Sequence, residues 1–348
     1  MHTAVQTHRA GRAGAPAKAV RVAVAGATGY TGQELLRILA RHPAVTVVAA
    51  TSSGALSATG VRKLPALAHI FTGDITPLDR TALASEAELV FLALPDKAAA
   101  ELAPALLDAG VRVIDLSGAF RLRDDAQRGR WYPETHVLPQ GLAYGLTELE
   151  RPSVAAARMV TNPGCYPTAA LLALRPLLDA GVVAGNADIV IDAKSGVSGA
   201  GKTPSERTHF SEVHGSVSAY GVFGHRHGAE IEQGAGRQVN FVPHLMPLDR
   251  GILSTMYLRV APGATEETLA GVYERTFGNE PFIRLTGAAL PEIKHVAHTN
   301  FCDIGWRVDS SGRAVVVSVI DNLLKGASGQ AVQNMNVMLG IDETTGLL

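Results

Sequence analysis

The chain has 348 residues, 47% of them hydrophobic and 18% charged, with 31 basic against 32 acidic side chains. That length exceeds the roughly 250–300 residues a single core usually fills, so two domains are expected, and the apolar content excludes a largely disordered chain. A net charge of -1 argues against nucleic acid or an anionic membrane as a partner, and two cysteines are too few for a disulfide framework, which points to a reducing cytoplasm.

The first 19 residues carry Arg9, Arg12 and Lys18 and no acid. They resemble a transit peptide in composition but lack an apolar face, so a disordered tail is expected. From there Val20 to Ala25 predicts a strand, Gly26 to Gly32 a tight turn, and Gln33 to Ala40, with its leucines on one face, a helix. Further strands are expected at Val45 to Thr51, Leu89 to Leu94 and Val111 to Leu116. Strands alternating with helices predict a parallel sheet, because a parallel pair needs a long crossover. The fold class is therefore α/β, with a Rossmann-type dinucleotide-binding domain over 20–163.

The texture changes near residue 164, where a helix at Thr168 to Ala180 precedes β-rich runs at Ile189 to Ala193, Gln238 to Val242, Ile252 to Val260 and Ala314 to Ile320. An α+β catalytic domain with a mixed sheet is expected over 164–322. A last helix, Ser328 to Leu339, places Val332, Met335 and Leu339 on one face and is expected to pack back on the first domain within 323–348. No apolar run reaches the ~18 residues that span a bilayer.

Between the first strand and helix, Gly26-Ala27-Thr28-Gly29-Tyr30-Thr31-Gly32 offers backbone amides at a helix N-terminus, where a pyrophosphate can be held. The second strand ends in Thr51-Ser52-Ser53 without the acid that a NAD-selective site offers to the ribose, and Arg62 and Lys63 follow. NADP suits these residues better than NAD. Cys165, in Asn162-Pro163-Gly164-Cys165-Tyr166-Pro167-Thr168, opens an apolar helix, a position expected to lower a thiol's pKa and favour the nucleophilic thiolate. Cys302 has no such setting and reads as structural. His225-Arg226-His227 places two imidazoles near a guanidinium and could serve a thiolate as acid and base. With no third ligand near the two histidines, no metal is expected. Arg121 follows a strand end and could clamp an anion. A cysteine nucleophile beside a dinucleotide turn suggests reduction of a thioester to an aldehyde. One motif competes: Gly196 to Thr203 matches the phosphate loop of triphosphatases, but Pro204 follows at once where a buried helix should begin. A glycine-rich loop that lets backbone approach the nicotinamide is the alternative.

Together these residues resemble the N-acetyl-γ-glutamyl-phosphate reductases, the arginine-biosynthesis relatives of aspartate semialdehyde dehydrogenase. The resemblance runs through Gly26 to Gly32, Leu92 to Pro95, Asp115 to Leu122, Tyr144 to Leu149, Asn162 to Thr168, Ser195 to Gly201, His225 to Ile231, Arg250 to Ile252 and Asp321 to Gly326. It implies an NADPH-dependent reductive dephosphorylation of N-acetylglutamyl 5-phosphate to the 5-semialdehyde. In that reading Cys165 is the nucleophile, His225 the acid/base, and Arg121, His227 and Glu230 substrate contacts. Gly26, Thr28, Gly29, Tyr30, Thr31, Gly32, Thr51, Ser52, Ser53, Pro95, Ser195, Gly196, Asn322 and Lys325 would hold NADP(H). A homodimer or homotetramer is implied. Ser117-Gly118-Ala119-Phe120 and Gly145-Leu146-Thr147 depart from the family's more usual Ser-Ala-Asp-Phe and a proline, respectively. A related enzyme of lysine biosynthesis acts on carrier-bound aminoadipyl phosphate, but its cysteine turn resembles Gly-Cys-Asn-Ala-Thr, whereas Cys165-Tyr166-Pro167-Thr168 favours the arginine branch.

Overall fold

A computed structural model describes residues 19–52 and 64–348; residues 1–18 of the expected tail, Ser53, Arg62 and Lys63 lie outside them. The first half alternates strands β1 (Val20–Ala25), β2 (Val45–Ser52), β3 (Thr76–Pro77), β4 (Leu89–Leu92), β5 (Arg112–Asp115), β6 (Leu142–Tyr144) and β7 (Met159–Thr161) with helices. Those helices are α1 (Tyr30–Leu39), α2 (Arg80–Glu86), α3 (Asp96–Asp108), α4 (Asp125–Trp131) and α5 (Thr147–Ala156). The strands form one sheet in the order β3-β2-β1-β4-β5-β7-β6, parallel at every pair. All four residues of β4 are buried, as expected for a central strand covered on both faces. From β1 the sheet grows in opposite directions, to β2 on one side and β4 on the other. The crevice beyond the carboxyl ends of β1 and β4 is where such sheets bind ligands.

The second half contains α6 (Cys165–Asp179), β8 (Val190–Gly196), α7 (Phe210–Val213), β9 (Ser218–Ala219), α8 (Arg226–Ala235), β10 (Asn240–Met246), β11 (Ile252–Arg259), α9 (Glu266–Phe277), β12 (Ile283–Gly287), β13 (Cys302–Val308) and β14 (Arg313–Ile320). Its strands form a mixed sheet, β12-β13-β14-β11-β8-β10-β9. Helix α6 is apolar on nearly every side, with Leu171, Leu172, Leu174 and Leu177 all buried, because the sheet lies beneath it and α8 and α9 flank it. The other face of this sheet stays half-exposed at Val190, Asp192, Lys194, Val242 and His244.

After β14 the chain makes a π-helical turn, Leu324–Ser328, and enters α10 (Gly329–Met338). The helix expected over Ser328 to Leu339 is α10, and the π-helical turn precedes it. Helix α10 buries Ala331, Val332, Met335 and Met338 in the same cluster as Val22, Val24 and Phe91 of the first sheet. Burying a side chain the size of Val332 or Met335 stabilises by about 1.5–3 kcal/mol. Arg250 ties the halves together from the loop before β11, reaching Glu34 of α1 at 2.5 Å and Asp321 after β14 at 3.4 Å. No described helix is long and apolar enough to cross a membrane.

Candidate active site

A cleft of about 730 Å³ runs between the two sheets, and it brings the glycine turn and the cysteine turn to opposite ends of one space. The first wall is Gly26 to Gly32. Gly26 sits at φ +92, and a Cβ there would lie 2.0 Å from the Ala93 carbonyl oxygen; one on Gly32 would lie 2.2 Å from the Gly26 oxygen. No side chain fits at either position, so backbone approaches backbone and the amides that open α1 face the cleft. Such a cradle suits a dinucleotide's diphosphate. Thr28, Gly29, Tyr30, Thr31, Ser52, Pro95 and Asn322 line the same space, and the Thr28 and Ser52 hydroxyls share a hydrogen bond of 3.0 Å.

At the other end lies Cys165, half-buried at the first residue of α6. The turn before it is fixed by Asn162, whose amide donates to the Asp115 oxygen at 2.7 Å and whose side chain bridges Ala327 and Asn334. Gly164 is required beside the nucleophile candidate, since a Cβ there would meet His227 Nε2 at 2.6 Å and Arg121 Nη1 at 2.9 Å. His227, Glu230 and Ile231 fall on one face of α8 by their three- and four-residue spacing, and all are buried. Glu230 accepts hydrogen bonds from the Gly164 amide at 2.9 Å and the Tyr144 hydroxyl at 2.7 Å. Arg121 Nη1 lies 3.5 Å from Glu230 Oε2 and 3.3 Å from His227 Nε2, and its remaining donors bond the Asn162 and Leu116 carbonyls at 2.9 Å.

Charges in this cluster are settled by burial. Burial alone would weaken the Arg121 cation, but Glu230, followed by the surrounding tyrosines and Asp115, outweighs it and raises its pKa. Burial holds His225 down at about 4 and His227 well below its ordinary 6.5, with neighbouring cations adding to both effects. Both imidazoles are neutral. For Cys165 the net direction is upward, to about 11: burial outweighs the pull of Arg121 and the Tyr166 amide. This corrects the expectation of a lowered thiol pKa. The helix start does favour the thiolate, but desolvation of an anion in this setting is larger.

Several expected roles are also revised. His227, not His225, lines the cleft with Cys165; His225 caps α8, its Nδ1 accepting the His227 amide at 3.0 Å, and faces a neighbouring hollow with Trp131 and Phe241. Glu230 is 1% exposed and holds Arg121 and the Gly164 amide from behind, away from the cleft lining. Lys325 is fully buried against Glu148 at 2.5 Å and Gln333 at 2.7 Å, which removes it from the cofactor's reach. Thr51, Ser195 and Gly196 are buried beneath the cleft surface, where Ser198 and Gly199 stand instead. Ser198 bonds the Asn322 side chain at 3.0 Å. The phosphate-loop reading fails on its fold, because Val197–Ala200 makes a 3-10 turn and Gly201 turns at φ +83 without opening a helix. Lys202, Thr203 and Arg226 also line the cleft. Lys202 was visible only as part of that loop, and Arg226 only as the middle of the His-Arg-His run.

Comparison with known proteins agrees with this layout. The semialdehyde dehydrogenase NAD binding domain matches residues 21–157, and the semialdehyde dehydrogenase dimerisation domain matches residues 165–322. The N-acetyl-gamma-glutamyl-phosphate reductase of Syntrophobacter fumaroxidans is 47% identical over 94% of this chain and 98% of its own. That of Symbiobacterium thermophilum is 48% identical over 94% and 97%. Among solved structures, aspartate semialdehyde dehydrogenase II from Vibrio cholerae has a similar fold, with a TM-score of 0.71 at 19% identity, covering 93% of this chain and 99% of that one. The NADP-bound enzyme from Candida albicans gives a TM-score of 0.67 at 14% identity over 92% and 99%.

Proposed function

The chain belongs to the N-acetyl-γ-glutamyl-phosphate reductase family of semialdehyde dehydrogenases, and from that premise we propose that it reduces N-acetyl-L-glutamyl 5-phosphate to N-acetyl-L-glutamate 5-semialdehyde with NADPH, through a thioester on Cys165. The observation that carries this reading is the shared cleft: one half-buried cysteine at a helix start, and across from it a glycine cradle that admits only backbone.

In the proposed sequence His227 accepts the thiol proton as Cys165 Sγ bonds the acyl carbon, and the proton passes to the departing phosphate. A neutral imidazole suits that role once the Arg121 guanidinium, 3.3 Å from its Nε2, turns from that nitrogen to the substrate and leaves it free to accept the proton. The amides at the start of α6 stabilise the oxyanion of each tetrahedral species. Gly26 to Gly32, with Thr28, Ser52 and Pro95 around them, would hold NADPH, which when bound would supply the hydride for the thioester carbonyl. Collapse of the thiohemiacetal breaks the carbon–sulfur bond and returns the sulfur as thiolate, which takes one proton from solvent. Glu230 is a positioning residue for Arg121 and the Gly164 amide, and His225 for α8. Residues 20–163 with 323–348 form the cofactor unit in this reading, and 164–322 the catalytic unit. The two free cysteines suit a reducing cytoplasm, and a homodimer or homotetramer built on the second sheet is the proposed assembly.

The test is absorbance at the reduced-nicotinamide band, run in reverse with semialdehyde, phosphate and NADP. The wild-type protein should generate NADPH. Cys165→Ala should bind NADPH and give no turnover, and appreciable turnover by that variant would sink the covalent mechanism.

A further inference from the structure

Diphosphate is the most charged part of a nicotinamide dinucleotide, and the turn proposed to seat it, Thr28 to Gly32, carries no basic side chain. Amides and a helix terminus supply partial positive charge and can hold a diphosphate unaided, so any full countercharge would be supplied from elsewhere in the cleft. Among the described residues that line it, the lysines and arginines are Arg121, Lys202 and Arg226. Arg121 is 6% exposed and committed to Glu230, His227 and two carbonyls at the cysteine end. Arg226 pairs with Asp96 at 2.8 Å. Lys202 makes no ion pair among the described residues; its ammonium reaches only the Thr28 carbonyl oxygen, at 3.4 Å.

That contact spans the cleft. Lys202 stands in the loop after β8, on the second sheet, while Thr28 belongs to the glycine turn of the first. An exposed ammonium against a single carbonyl gains little over water. A diphosphate on the α1 terminus would bring negative charge to the place where this ammonium already lies. We infer that Lys202 is a cofactor-binding residue that reaches across the cleft to the dinucleotide's diphosphate from a loop already held against the glycine turn. The loop has the residues of a phosphate loop but uses its lysine from outside, on a phosphate cradled by another segment. This rests on the proposed reading that the cleft takes a nicotinamide dinucleotide.

Phosphate at this end of the cleft could also be the 2′-phosphate of NADP, since Ser52 is hydrogen-bonded to Thr28. The contact to the backbone of the turn assigns Lys202 to the diphosphate, and NADH, which lacks the 2′-phosphate, separates the two. Binding of NADPH and of NADH is measured by calorimetry, without substrate, for wild type, Lys202→Met and Lys202→Arg. Loss of one charge-assisted contact should weaken both dinucleotides about tenfold in the methionine variant and flatten the salt dependence of binding, while arginine restores most of the affinity. Unchanged affinity for both would overturn the inference, and weakening confined to NADPH would overturn the diphosphate assignment. Failure of the wild-type protein to bind either dinucleotide would instead refute the reductase reading, and this inference with it.

Discussion

Cys165 stands where three influences on one proton can be ranked. The amides of the first turn of α6 and the Arg121 guanidinium both favour the thiolate, and burial opposes them and wins, leaving the thiol near 11. Below that value the thiolate fraction grows about tenfold per pH unit. His227 is held well below 6.5, so the resting pair is a neutral thiol beside a neutral imidazole and not a thiolate–imidazolium pair. Alkylation of Cys165 by iodoacetamide, followed by mass spectrometry between pH 6 and about 10, should therefore keep climbing past pH 9. A plateau below pH 7 would show that the ion pair exists. Arg121→Met removes a stabilising charge and should slow alkylation at each pH below the thiol's own. Cys302, buried on β13 and pushed to about 12, should remain unmodified in the native protein and serves as an internal control.

At the scale of elements, the π-helical turn before α10 is held by a buried ion pair. The Lys325 and Glu148 side chains are both 0% exposed, 2.5 Å apart, with Gln333 bonding each and the Phe282 ring 5.7 Å from the ammonium. Removing one partner leaves a buried charge uncompensated, which costs about 3–5 kcal/mol, whereas removing both charges leaves no such charge. Lys325→Met should lower the thermal midpoint by several degrees, and Lys325→Met with Glu148→Gln should regain a large part of it; equal loss in both would assign the cost to packing instead. The same pair explains what the sequence shows and what it hides. Local signals sufficed for the elements: β1, the glycine turn and α1 follow from a run of apolar residues, three glycines and spaced leucines, and the α/β class from their alternation. Cys165 at a helix start is legible because Pro163-Gly164 and the leucines of α6 are its neighbours in sequence. The fate of a polar residue is not local. Lys325 reads as a cleft residue until Glu148, 177 positions away, is known to meet it. Glu230, with its helical spacing from His227, could have been recognised as inward-facing from periodicity alone.

The whole molecule poses a further question, because its second sheet is covered by α6, α8 and α9 on one face only. Across the central strands of the other face the register aligns Val242 with Asp192 and Thr255, and Asn240 with Val190 and Tyr257. Tyr257 is 46% exposed. Beside Val190, Val242 and Tyr257 lies a compact ion cluster: Lys194 contacts Asp192 at 2.5 Å and His244 lies 3.1 Å from it. Apolar side chains around a locally neutralised polar centre are the composition of an interface core more than of a solvated face. The family domain that matches residues 165–322 is described as a dimerisation domain. The proposed dimer therefore places this face against its copy, where twofold symmetry would set the same row on both sides. Sedimentation velocity should show the wild-type protein as a dimer or larger. Val242→Asp with Tyr257→Asp buries two unpaired carboxylates per protomer in such an interface and should dissociate it, while NADPH binding, in the cleft away from this face, persists. A doubly substituted protein that folds, binds NADPH and still sediments as the wild type does would place the interface elsewhere.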